Sequence, residues 1–183
     1  YNLPGFVEKV AQHFCTSPKQ LEEVEARALE LGYEGICFRH RYSRYKFGRS
    51  TWKEQALIKV KRFLDAEGVI VGFEELYSNK NEAKTNELGY MERPSHQGGM
   101  VAMNTLGAMI VRSPHFTETF KVGTGPGLTQ EFRQQIWNDR DNLLGRNITF
   151  KYQSHGSKDR PRIPGFVGFR DGRDMSVMQE NLL

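Results

Sequence analysis

Cysteine is scarce: Cys15 and Cys37 are the only two in 183 residues. Without metal-ligand spacing, two such residues form neither a disulfide framework nor a zinc site. Cys37 lies inside a short apolar run and is expected to be a buried free thiol. Long apolar runs are missing too. None approaches the ~20 residues that a membrane-spanning helix requires, so no membrane partner is expected. The first residues, YNLPGFVEKV, have neither a basic leader nor an apolar signal core, and cytoplasmic residence is the default expectation. The five histidines, at 13, 40, 96, 115 and 155, are scattered and carry no metal role. Gly123-Thr124-Gly125-Pro126-Gly127 lacks the Gly-Lys-Ser/Thr ending that makes a phosphate loop specific, so it is expected to be a turn leading into a helix. There is no internal repeat and no low-complexity tract.

What the chain does have is a concentrated positive charge. Between Glu34 and Phe63 stand nine basic residues (Arg39, Arg41, Arg44, Lys46, Arg49, Lys53, Lys59, Lys61, Arg62) against two acids, Glu34 and Glu54, while the whole chain carries only +4. The remainder is therefore net acidic. A basic stripe on an otherwise balanced chain points to a phosphate-rich partner met on one face. Lys59 and Lys61 are two apart, so on a strand both side chains leave the same face. Alone, such a pair is most often a solvated strand face. Glu34 alone is most often a helix-end carboxylate. Together, with the basic connector between them, they form a constellation that could hold a nucleoside phosphate.

Ser17-Pro18-Lys19-Gln20 has the signature of a helix start, with serine as N-cap, proline at the first position and glutamine where a capping box wants it. Leu21, Val24, Ala28 and Leu31 follow at helical spacing, and Gly32 closes the element. Residues 35–38 are expected to be a short buried strand. After a boundary at residues 65–67 the pattern becomes strand-rich, with strands expected at 68–73, 108–112, 116–122, 147–152 and 165–169. One helix, entered at Thr129 and stopped at Gly145, lies between the third and fourth and presents Phe132, Ile136 and Leu143 on one face. Five strands with a helix between the third and fourth is the plan of an OB-fold. Residues 76–105, polar and glycine-spotted, interrupt the first two strands and are expected to project as a hairpin or loop. Trp137 is expected to cover the barrel from the helix, and Trp52 is ambiguous between packing and a contact.

Several strings share a resemblance. Glu34-Gly35-Ile36-Cys37-Phe38-Arg39 resembles nucleotidyltransferase motif IV, and Ile58-Lys59-Val60-Lys61 resembles motif V, of the ATP-dependent DNA ligases. Tyr45-Lys46-Phe47-Gly48-Arg49-Ser50 and Asp65-Ala66-Glu67 are similar to the small viral and bacterial members. The run Asn86-Glu87-Leu88-Gly89-Tyr90-Met91-Glu92-Arg93-Pro94-Ser95-His96 resembles the latch insertion of that subgroup. Val122-Gly123-Thr124-Gly125 resembles the strand end after it, and residues 161–170, PRIPGFVGFR, resemble motif VI. One departure stands out. The acceptor lysine of these enzymes lies in a Lys-x-Asp-Gly motif that this sequence does not contain; the nearest string, Phe169-Arg170-Asp171-Gly172, has phenylalanine in its place. Motif III is also missing.

The resemblance implies an α+β chain: residues 1–66 as the C-terminal part of an adenylation domain, and 67–183 as an OB-fold barrel with the latch at about 76–105 and motif VI at about 161–170. It implies that Glu34, Lys59 and Lys61 are catalytic, with Glu34 also serving Mg²⁺. Arg39, Lys59, Lys61, Arg162 and Arg170 would bind ATP. Lys46, Arg49, Lys80, Lys84 and Arg93 would bind DNA. The cofactors implied are ATP and Mg²⁺, and the partners are nicked duplex DNA and the N-terminal part of the adenylation domain, acting as a monomer. The activity implied is nick sealing through enzyme-adenylate and DNA-adenylate intermediates, in replication or repair. Two alternatives remain open: a fragment of an mRNA capping guanylyltransferase, which shares motifs IV and V, and a non-catalytic OB module that binds nucleic acid.

Overall fold

A computed structural model of the chain describes residues 4–7, 10–51 and 53–170. Trp52, and the Asp171-Gly172 end of the string nearest to Lys-x-Asp-Gly, lie outside the described residues. No described helix is long and apolar enough to cross a membrane. Contacts divide the chain into two units, Tyr1–Arg62 and Phe63–Leu183.

The first unit contains helix α1 (Pro18–Glu30) and two strands, β1 (Gly35–Arg39) and β2 (Leu57–Lys61). The Ser17 hydroxyl accepts from the Gln20 N–H, as an N-cap should. The Gln20 carboxamide reaches one residue further back than in a capping box, accepting from the Thr16 N–H at 2.8 Å. The apolar stripe of α1 contains a charge. Glu25 is only 5% exposed, and the Arg62 guanidinium grips it with two bonds, 2.8 and 2.5 Å, which tie the helix to the end of β2. The Glu25 carboxylate in turn raises the pKa of Arg62. Among the described residues, strands β1 and β2 pair only with each other. That corrects the expected burial: within this two-stranded ribbon Cys37 is exposed and the rest of β1 is at most half-buried.

The second unit is built on a five-stranded antiparallel sheet in the order β7-β6-β3-β8-β9, comprising β3 (Leu64–Asn79), β6 (Met100–Arg112), β7 (Phe120–Val122), β8 (Asn147–Gln153) and β9 (Arg162–Phe169). A parallel bridge between Thr124 and Gly165 joins the two edge strands, and the Phe166 N–H donates to the Thr124 carbonyl at 2.7 Å. The sheet is thereby closed into a barrel. Gly125 makes that seam possible: a Cβ on it would lie 2.3 Å from the Phe166 carbonyl oxygen. The glycine-rich string therefore forms the barrel's closing contact as well as the turn toward the helix. Inside, Ile70, Leu106, Met109, Val111, Phe150 and Phe166 are almost fully buried. Phe116, Phe120, Phe150 and Tyr152 meet largely edge to face at one end.

Two element expectations need correction. The helix expected from 129 to 145 is two helices, α2 (Gln130–Asn138) and α3 (Arg140–Leu143), turned at Asp139 so that both Ile136 and Leu143 reach the core. The strand expected at 116–122 begins at Phe120; Phe116 precedes it as an aromatic plug against the core. Residues 76–105 project as a hairpin, one of the two expected forms. β3 and β6 run on past the barrel and keep pairing to Asn79–Met100, and a small hairpin of β4 (Lys84–Thr85) and β5 (Met91–Glu92) forms the tip. The Asn81 carboxamide bonds the carbonyls of Pro94 and His96, closing the base of that tip.

Candidate nucleotide and nucleic-acid interface

In the first unit, the turn after α1 delivers Glu34 to the start of β1. Antiparallel pairing places Gly35 opposite Lys61, Cys37 opposite Lys59 and Arg39 opposite Leu57. Strand alternation then gathers Arg39, Lys59 and Lys61 on one face of the ribbon. Glu34 joins them, its carboxylate 2.5 Å from the Lys61 ammonium. Gly35 lets the strands meet there, since a Cβ would lie 2.1 Å from the Val60 carbonyl oxygen. Residues 27 positions apart in sequence thus form one half-buried ion pair.

The other face contributes Phe38 and Ile58 to an open groove of about 460 Å³, whose polar lining is Arg39, His40, Ser43, Glu54 and Gln55. The basic connector folds beside it. The Lys46 ammonium sits 2.6 Å from Glu54 and, with the backbone N–H and hydroxyl of Thr51, lowers the Glu54 pKa to about 2. Arg39 stacks on Tyr45, and Arg41 lies over Phe14 and Tyr42. Phe47, between Lys46 and Arg49, is 97% exposed, and Arg49 is exposed as well. Within the stripe, Lys46, Lys61 and Arg62 are matched by carboxylates among the described residues.

The second unit holds the remaining candidates in two places. Arg162 opens β9 and donates from its guanidinium to the His155 carbonyl at 3.4 Å. Arg170, just past the strand, bonds the Thr149 hydroxyl and the Glu67 carboxylate, at 3.0 and 2.7 Å. Asp159 accepts from the Thr117 hydroxyl. Lys80, Lys84 and Arg93 lie together on the projecting hairpin, where the Arg93 guanidinium donates to the Asn81 carbonyl.

Sequence reasoning missed Glu25–Arg62, although a carboxylate within the Leu21–Val24–Ala28 stripe was a legible signal. It also missed Arg133, whose guanidinium donates to the carbonyls of Leu106, Gly107 and Gly123. Nothing in the sequence marks those three carbonyls.

Residues 97–170 match the family model of the DNA ligase OB-like domain. That segment is similar to a DNA ligase OB-like domain. Among solved structures, a Lig E DNA ligase is 25% identical with a TM-score of 0.58, the alignment covering 87% of this chain and 49% of that one. The Chlorella virus DNA ligase-adenylate is 30% identical over 86% of this chain and 48% of its own length, with a TM-score of 0.45. A third, Pmar-Lig_PreS3, shares the fold at 23% identity and a TM-score of 0.59, with 83% and 30% covered. No curated protein matches the chain. The chain thus spans about half the length of the Lig E ligase and of the viral ligase. Its likeness is to the C-terminal portion of a DNA ligase.

Proposed function

We propose that this chain supplies the C-terminal portion of an ATP-dependent DNA ligase: the last strands of the adenylation domain followed by an OB barrel whose projecting hairpin is the latch. The observation that carries the reading is the ion pair of Glu34 with Lys61, on a ribbon face that also bears Arg39 and Lys59. Two ammonium groups and a guanidinium on one face suit the oxygens of a nucleotide phosphate and the charge that develops as it is transferred. Among the described residues no cluster of three His, Cys, Asp or Glu could hold a metal by itself. A single hard carboxylate fits Mg²⁺, which takes one or two protein carboxylates and completes its shell with phosphate oxygens and water. Glu34 would hold the ion, which would supply charge neutralisation at the phosphate.

Lys59 and Lys61 would contact the α-phosphate and Arg39 the bound nucleotide, while Arg162 and Arg170 of the barrel would orient the pyrophosphate leaving group. Lys46, Arg49, Lys80, Lys84 and Arg93 would face nicked duplex DNA. Lys46 must exchange Glu54 for a phosphate to do so. A capping guanylyltransferase reading is weaker because the family match is to the ligase form of the OB domain. The acceptor lysine would come from the N-terminal part of the adenylation domain.

Two measurements test the reading. Incubated with labelled ATP and Mg²⁺, the 183-residue chain should remain unlabelled; a lysine-linked adduct would reveal an unrecognised nucleophile. Titrated with nicked duplex at increasing salt, it should bind without sequence preference. Log affinity should fall linearly with log salt at a slope of about −0.9 per phosphate contacted. Salt-independent binding, strong preference for one sequence, or no binding at all contradicts the proposal.

A further inference from the structure

The projecting hairpin leaves the barrel through an irregularity that helix α2 holds in place. Between the rungs Glu75–Leu106 and Tyr77–Ala102, β3 spends one residue, Leu76, whereas β6 spends three: Met103, Asn104 and Thr105. A strand with excess residues opposite its partner bends and twists more strongly there. Asn104 takes the left-handed conformation, φ +49, which asparagine tolerates better than most residues.

Three polar groups of Asn104 are bonded, one to β3 and two to helix α2. Its N–H donates to the Glu75 carboxylate at 2.7 Å. Its carbonyl accepts from the Gln134 carboxamide at 2.9 Å, and its side-chain oxygen accepts from the Trp137 indole N–H at 3.1 Å. Trp137 is itself fixed: the Arg140 guanidinium stacks 4.8 Å from its ring and donates to its carbonyl. Helix α2 is thus bonded to the one residue about which the hairpin bends.

We infer that Asn104 is a positioning residue that aims the projecting hairpin, so that α2 sets the angle at which the hairpin meets duplex DNA. The aiming stands on the geometry alone; the DNA half rests on the ligase reading. An arm whose angle is fixed before binding avoids the entropy of being ordered on the duplex.

The test uses the full chain with Cys15→Ser and Cys37→Ser, and spin labels on cysteines introduced at Glu87 in the hairpin tip and Thr119 on the barrel. Pulsed electron–electron resonance should give one narrow distance. Asn104→Ala and Trp137→Phe should each broaden or shift it. Asn104→Gly, which keeps the left-handed backbone but loses the indole bond, should fall between. Nicked-duplex affinity should drop about fivefold for Asn104→Ala, the size expected when a neutral hydrogen bond is lost, with a shallower salt slope as hairpin–phosphate contacts are lost. Unchanged distance distributions in Asn104→Ala and Trp137→Phe, with the barrel's near-ultraviolet dichroism intact, overturn the inference. If Asn104→Ala does not fold, Trp137→Phe decides alone. If the unsubstituted chain fails to bind DNA, the ligase reading falls while the distances still decide the aiming role.

Discussion

Alanine in place of Lys61 is expected to slow nick sealing by about 10²-fold or more, once the chain is joined to a segment that supplies the Lys-x-Asp-Gly lysine. The ammonium of Lys61 lies 2.5 Å from Glu34 and shares a ribbon face with Lys59. Its removal has two effects on the proposed site. One cation is lost from the phosphate oxygens, and the Glu34–Lys61 ion pair that anchors the ribbon face is lost with it. Lys59→Ala causes only the first loss, so Lys61→Ala should be the more damaging of the two. Separate single-turnover measurements of adenylation and of sealing at a pre-adenylated nick would locate the defect. Wild-type rates in both steps for both variants would return the lysines to a solvated strand face.

Gly125→Ala should produce a large loss of stability in the barrel. The new Cβ would lie 2.3 Å from the Phe166 carbonyl oxygen and 2.8 Å from its nitrogen, at a backbone φ of +151 that side chains rarely adopt. These neighbours are main-chain atoms of the seam itself, so no side chain can rotate away. Overpacking together with backbone strain of this kind costs about 3 kcal/mol. For a unit of this size that is roughly a 10 °C fall in Tm. Thermal unfolding followed by dichroism checks it. Gly127→Ala is the control, because its Cβ would meet nothing closer than 4.0 Å, and it should unfold close to the parent. Equal Tm values for the two variants would mean that the seam tolerates opening.

The parts of this architecture written locally were the parts that could be read from sequence. Ser17 and Thr129 announce their helices because a cap is satisfied within three residues. The five barrel strands show in order because burial on one face imposes alternation. The Glu34–Lys61 pair was reachable only through the spacing of two motifs. The outward run of β3 and β6 was hidden for a physical reason: residues 76–79 and 100–103 are half-buried or exposed on both faces, and a strand without a buried face has no period-2 pattern. The break at Asp139 was hidden because Ile136 and Leu143 fit one continuous helix as well as two. The exposure of Cys37 depends on β1 having a single neighbour, a property of sheet order that no local run encodes. Arg133 and Asn104 act through backbone carbonyls and a bulge, which carry no side-chain signature in their own segments.

Since β3 and β6 are at once staves of the barrel and the two sides of the hairpin, the hairpin's length can change by a simple parity rule. Removing or adding one residue in each strand beyond Tyr77 and Ala102 would turn every later side chain to the opposite face. A change of two in each would keep all faces as they are and alter the reach by about 7 Å. The barrel below the bulge would not register the difference. Relatives of this chain should therefore differ in hairpin reach by even steps, and a grafted tip should work only when it respects that count.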